Sequence, residues 1–401
     1  MPLPIIKGEG VYLIDEAGNK YIDAISSWWT NLHGHAHPYI AEKIYEQAKQ
    51  LEHVIFAGCT HEPAVQLAER ILPLLPGSFS KIFYSDNGST AVEVALKMAI
   101  QYQRHKEQGT RHKILALRHS YHGDTFGAMS VSERGVFSLA FENYLFEVNF
   151  LDLSKKHSVF NAQYSKLNFD KIACFIYEPV VQGAGGMNMY DIYQLNELLK
   201  RCKQNNILCI ADEVMTGFYR TGKMFASAYA EEKPDIICLS KGLTGGSLPL
   251  AITACSQNIF DAFLSDDLYK TFFHGHSYTA NPIACAAALA SLDLLDKKEC
   301  LSNIAYITQQ HIAFVKQLET SNYKLKPINP RSAGTILAFE FHSKEKEYLN
   351  KVKEETMQLA LQQGVLIRPL GNTVYIMPPY CITAPQLKKI YNTLELVIDK
   401  I

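Results

Sequence analysis

ILCIADEVMTGFYRTGKMFASAYAEEKPDIICLSKGLTGG, residues 207–246, holds two short apolar runs that each end on a polar residue. The first, ILCIADE (207–213), ends at Asp212; the second, IICLSK (236–241), ends at Lys241 beside a glycine-rich turn. Both have the length and composition of strands buried on two faces. Outward from them the same kind of run recurs as KIFYSD (81–86), KILALR (113–118), KIACFIYEP (171–179) and LAITAC (250–255). Helical patterns run from Thr90 to about Lys106 and near 191–205. Strands alternating with helices predict an α/β fold, a largely parallel sheet covered by helices on both faces.

At the amino-terminal end, VYLID (11–15) and KYIDAI (20–25) flank Ala17-Gly18-Asn19, a hairpin signal. At the other end, an alanine-rich helix (280–294) and another near 300–318 lead into TILAFEF, a helix around 346–363, VLIRP, TVYIMPP and a closing helix from 384. The expected organisation is a large α/β domain over 51–295 and a small α+β domain over 296–401, with residues 1–50 joining the small lobe.

Lys and Arg number 39 against 40 acids, a formal charge of -1, so the basic field that nucleic acid requires is missing and no such partner is expected. The nine cysteines (59, 174, 202, 209, 238, 255, 285, 300 and 381) form no C-x-x-C and read as reduced core residues of a cytoplasmic protein. MPLPIIKGEGVYLIDEAG has no basic region leading into an apolar stretch, and no segment has the length of a membrane span, so no membrane partner is expected. His33, His35 and His37 in HGHAHP have no acid or cysteine at ligand-like spacing, which favours a polar loop near a substrate entrance over a metal site.

In open α/β sheets ligands gather beyond the carboxyl ends of strands, and three such ends carry chemistry here. KIFYSD is followed by Asn87-Gly88-Ser89-Thr90 and a helix, which aims free N–H groups at an anion; a plain capping box of Thr90 with Glu93 fits the same residues. Asp212 at a strand mouth suits a protonated pyridine nitrogen, or a helix cap or structural ion pair. Lys241, in a dry pocket, becomes a nucleophilic amine. A phosphate cup, a pyridinium partner and an amine on one sheet edge are the requirements of pyridoxal phosphate (PLP), with Lys241 forming the Schiff base. Tyr121, after KILALR, could stack on the ring or simply pack in the core.

SSWWTNLHGHAHP, SDNGSTAVEVALKMA, YHGDTFGAMSV, EPVVQGAGGMNMY, ADEVMTGFYRTGKMFA, CLSKGLTGGSLPL, FFHGHSYTANPIACAAA and IRPLGNTVYIMPPY resemble the motifs of the class III (fold type I) aminotransferases over almost the whole chain. The double tryptophan, YHGDTFGAMSV and Met215 in ADEVMTG are similar to the branch of that family that serves biotin synthesis. The resemblance implies the PLP transferase fold, a seven-stranded type of sheet, and Gly88 and Ser89 at the phosphate, Tyr121 on the ring, Asp212 at its nitrogen and Lys241 as the catalytic amine. It implies Trp28 in the substrate pocket, Asp124 and Arg220 in keto-acid recognition and Arg368 as receiver of a substrate carboxylate. Gly275, His276 and Ser277 would reach the site from the neighbouring subunit of a homodimer. S-Adenosylmethionine is the implied donor and 8-amino-7-oxononanoate the acceptor, with lysine as donor or an ω-amino acid aminotransferase activity as the alternative. The family's substrate-contacting tyrosine belongs to a segment upstream of the position that matches MPLPIIKGEG.

Overall fold

A computed structural model describes residues 2–107, 111–153, 164, 165, 167–323, 327–342 and 351–401. Its centre is a seven-stranded sheet. The spatial order is Lys81–Ser85, Ala251–Cys255, Ile236–Leu239, Leu208–Asp212, Ile172–Tyr177, Lys113–Leu117 and Val148–Leu151. Ala251–Cys255 runs antiparallel to both neighbours, and every other pairing is parallel. The sheet is therefore largely parallel, as expected.

The three middle strands are buried along their whole length, so their continuous apolar runs have two dry faces. Alternation along the strand divides them between two cores. Leu115, Leu117, Phe175, Tyr177, Cys209 and Ala211 face one cluster, and Ile114, Ala116, Cys174, Ile176, Leu208 and Ile210 face the other. The helix Gly88–Glu107 seals the second face through Ala91, Val92, Ala95, Leu96 and Ala99. The helices Ile192–Gln204 and Pro282–Leu295 seal the first through Leu195, Leu198, Leu199, Ala284, Ala288 and Leu292. Spacings of three and four place these residues on one helix face, and each large side chain buried contributes about 1.5–3 kcal/mol.

The hairpin forms: Tyr12 pairs with Ile22, and Asp15 Oδ1 accepts from Ala17 N and Asn19 N around Gly18 at φ 85. Lys20–Asp23 then pairs in parallel with Val365–Leu366, so the amino-terminal hairpin and a carboxyl-terminal strand share one sheet. A separate, wholly antiparallel sheet joins Ile328–Ala333, Ile336–Glu340 and Thr373–Ile376.

Some expectations need adjustment. The strands Ile5–Glu9, Val148–Leu151 and Ile328–Ala333 were not anticipated, because their residues are mostly exposed or half-buried and lack the apolar run of a central strand. The helix expected around 346–363 is observed as Lys351–Gln362, and 346–350 lie outside the described residues. All nine cysteines are free, but Cys59 and Cys381 are exposed, so those two are not core residues.

Candidate active site

The carboxyl edge of the central sheet opens into a cleft of about 710 Å³. Asp212, Glu178 and Lys241 all lie at or just beyond strand ends on that edge. Gly88 and Ser89 enter it from the start of the helix Gly88–Glu107, and Tyr121 and Asp124 from the loop after Lys113–Leu117. Trp28 and Trp29 form another wall.

Lys241 is half-buried at a left-handed φ of 44, an uncommon conformation for a non-glycine residue. Its Nζ lies 4.4 Å from the centroid of the Trp29 ring. Desolvation lowers its pKa to about 8, against the opposing pull of Asp212 and Glu178. About one tenth of the amine is therefore neutral and nucleophilic at pH 7, against less than about one thousandth for an ordinary lysine.

Asp212 is 4% exposed, and its Oδ2 lies 2.7 Å from His122 Nδ1 while its Oδ1 accepts from Val214 N. His122 Nε2 is buried without a partner among the described residues. The adjacent Glu213 points away from the cleft, and its carboxylate accepts from Thr216 Oγ1, Ser227 Oγ and the Ala226 and Ser227 amides, so it ties down the following loop. Of two neighbouring acids, only Asp212 faces the cleft.

The helix begins at Gly88, two residues earlier than its pattern suggested. Asn87 Oδ1 accepts from Thr90 N, whereas Glu93 accepts from Thr125 Oγ1, Gly127 N and Ala128 N. The capping box of Thr90 with Glu93 is thus not formed, and the free amides of the first turn face the cleft mouth. A Cβ on Gly88 would lie 2.6 Å from Val214 Cγ1, so only glycine fits between helix and cleft wall.

Tyr121 lines the cleft, and its phenol pKa is raised by burial and by its hydrogen bond to Asp124. Glu178 accepts from Tyr121 N and Gly183 N, and burial raises its pKa to about 7. Glu178 and His122 were missed in the sequence. Glu178 ends an apolar strand as Asp212 does, so the strand-end rule would have found it; His122 carries no such signal.

The tryptophan wall is a single left-handed turn. Ser26, Ser27, Trp28 and Trp29 have φ of 51, 45, 69 and 74. Each such residue costs about 1–2 kcal/mol against the right-handed form. The turn is closed by Trp29 N to Ile25 O and Thr30 N to Ser26 O. Trp28 and Trp29 stack at 5.5 Å, and Trp29 Nε1 donates to Tyr375 Oη.

The remaining expected residues lie outside this cleft. Arg368 is exposed, with its guanidinium 5.1 Å from the Trp28 ring, so it flanks the tryptophan wall. Arg220 is 1% exposed and donates to the carbonyls of Trp29, Asn31 and Pro378. These bonds hold its Nη1 and Nη2 behind the wall, whereas its Nε is buried with no partner among the described residues; Arg220 does not line the cleft. Gly275 and Ser277 are exposed and His276 half-buried, none of them in the cleft of their own chain. His33 bonds Ser291 Oγ and His35 bonds Asp23, so these two histidines support the fold rather than line an entrance. Among the described residues no group of three His, Cys, Asp or Glu side chains is placed to hold a metal ion.

The residues fit pyridoxal phosphate: a buried carboxylate and an amine face one cavity, and a side-chain-free helix start faces it too.

A family model for class III aminotransferases matches residues 1–398. The chain is 47% identical to the adenosylmethionine-8-amino-7-oxononanoate aminotransferase of Synechococcus elongatus, covering 100% of this chain and 96% of that one. It is 38% identical to the enzyme of the same name from Helicobacter pylori, covering 100% and 92%. The crystal structure of the Methanocaldococcus jannaschii protein of that name superposes with a TM-score of 0.93 at 35% identity, covering 100% of this chain and 93% of that chain. A PLP-bound amine transaminase from an uncultivated Pseudomonas species gives 0.91 at 31% identity, covering 99% and 95%.

Proposed function

Because the chain belongs to the class III aminotransferases, we propose that it transfers an amino group from S-adenosylmethionine to 8-amino-7-oxononanoate, giving the 7,8-diaminononanoate of biotin synthesis. The observation that carries this reading is the meeting, in one cleft, of the Lys241 amine, the Asp212 carboxylate and the paired tryptophans.

Bound there, pyridoxal phosphate supplies an aldehyde that carries the amino group and a ring that takes up electrons from the substrate carbon. The amides of Gly88 and Ser89 would receive its phosphate, Tyr121 would cover its ring and Asp212, held by His122, would keep its nitrogen protonated. Lys241 Nζ would take the proton from the donor's amine-bearing carbon and pass it to the bound cofactor, and in the acceptor half would move a proton the opposite way onto the acceptor carbon, a role suited to an amine whose pKa lies near 8. Trp28 and Trp29 offer an apolar wall to the acceptor's methylene chain, Arg368 beside them receives its carboxylate, and Asp124 hydrogen-bonded to Tyr121 borders the same pocket.

Exposed Leu139, Tyr144, Leu268, Tyr269 and Phe273 support a homodimer, in which Gly275, His276 and Ser277 of each subunit complete the other's site. Among the described residues no helix is long and apolar enough to cross a membrane. The nine free cysteines support a reducing, cytoplasmic location.

The test follows the visible absorbance of the lysine-bound cofactor. S-Adenosylmethionine alone should bleach it, and 8-amino-7-oxononanoate should restore it with formation of diaminononanoate. Bleaching by lysine but not S-adenosylmethionine would overturn the donor, and response only to other ω-amines would overturn the biotin assignment.

A further inference from the structure

Asp23 is fully buried at the end of the strand Lys20–Asp23, directly behind the tryptophan turn. Its Oδ2 accepts from Ser27 Oγ at 2.7 Å and meets His35 Nε2 at 2.9 Å, while its Oδ1 accepts from Ile25 N. His35 is oriented in turn by Asn31, whose side chain also receives Gly34 N. A carboxylate with this many partners, none of them in the cleft, is built to hold backbone. What it holds is a left-handed turn of four residues without a glycine, a shape that such residues leave unless something opposes the relaxation.

We infer that Asp23 is a positioning residue: through Ser27, and backed by His35, it keeps the turn left-handed and so sets Trp29 against Lys241 and Trp28 against Arg368. The contacts at stake are the 4.4 Å approach of Lys241 Nζ to Trp29 and the 5.1 Å approach of Arg368 to Trp28. Without the Ser27 bond, the turn relaxes and both tryptophans leave the wall.

The chain has only two tryptophans, and both are in this turn, so selectively excited tryptophan fluorescence reports on it alone. Ser27 does not line the cleft, and two replacements remove its hydroxyl with opposite effects on the backbone. Ser27→Ala keeps the penalty of a positive φ and loses the bond, whereas Ser27→Gly loses both. In the full-length protein, Ser27→Ala should shift the fluorescence with and without PLP and lower kcat/KM for the acceptor about tenfold. Ser27→Gly should stay near the parent in both. Asp23→Ala should behave like Ser27→Ala or worse, and adding Ser27→Gly should restore it; if Asp23→Ala does not fold, the Ser27 pair decides. The kinetic arm rests on the proposed acceptor, but the fluorescence arm does not. Alanine and glycine variants that match each other in fluorescence, whether both shifted or both parental, would overturn the role.

Discussion

His122 Nδ1 lies 2.7 Å from Asp212 Oδ2, with the histidine side chain wholly buried and the aspartate side chain 5% exposed. The histidine on Oδ2 and the Val214 amide on Oδ1 together fix which way the carboxylate faces, as orienting partners do around other buried sites. His122→Leu is therefore expected to weaken PLP retention by about 10–100-fold, read by dialysis and cofactor titration. Asp212→Asn removes the charge itself and should cut turnover by about 100-fold or more. Unchanged retention in His122→Leu would show that Asp212 holds its orientation unaided.

Lys241 provides a pH prediction with a definite sign. Its folded pKa is lowered to about 8 by burial, so the neutral amine becomes the major form above that pH. The apoenzyme should capture PLP increasingly fast as pH rises through about 8 and then level off, whereas an ordinary lysine would keep gaining reactivity toward about 10.4. Stopped-flow absorbance across this range checks it, with Lys241→Ala as the blank that gives no lysine-bound absorbance. A rate still climbing at the highest pH would mean that the cleft does not desolvate the amine.

What could be read in the sequence follows a physical divide. Asp212, Lys241 and Gly88 were legible because each ends or follows an apolar run, and strand direction alone puts such residues on one edge. The carbonyl partners of Arg220 were not legible, because its neighbours in sequence say nothing of Trp29, Asn31 and Pro378, which reach it only after folding. The Asp23 to His35 pair and the left-handed tryptophan turn escaped for the same reason. Ser26–Trp29 contains no glycine, so local chemistry argues against the conformation that tertiary contacts impose.

Gly88 gives a prediction with a built-in rescue. A Cβ there would sit 2.6 Å from Val214 Cγ1, closer than packed atoms tolerate. Gly88→Ala should push the helix start out of place and weaken PLP binding by about tenfold, and Val214→Ala in the same chain should recover most of the loss by making room. A single variant that binds normally would mean that Val214 rotates away freely.

The two arginines should separate kinetics from stability. Arg368→Ala is expected to raise KM for the acceptor about 10–100-fold with little change in kcat or in unfolding midpoint, since it flanks the pocket and is exposed. Arg220→Met strands three carbonyls and should lower stability by about 3 kcal/mol or more in chemical denaturation. A reversed pattern would return Arg220 to substrate recognition.

The proposed sharing of active sites between two subunits makes the strongest demand on the assembly. Tyr269 is 91% exposed and Leu268 77%, on the chain segment that leads to Gly275, His276 and Ser277. An apolar surface of this kind is costly to leave in water and reads as an interface. Leu268→Glu with Tyr269→Glu should yield monomers by light scattering, with PLP retention and activity falling together. Complementation then tests whether the sites are shared. Lys241→Ala lacks the amine, and Ser277→Asp would set a carboxylate against the phosphate of the neighbouring site, so each homodimer should be inactive. Mixed and reassembled in equal amounts, half the dimers are hybrids in which one site carries both defects and the other carries none. Activity should return to about one quarter of the parent. If each subunit instead supplied its own residues 275–277, both hybrid sites would stay defective and no activity would return.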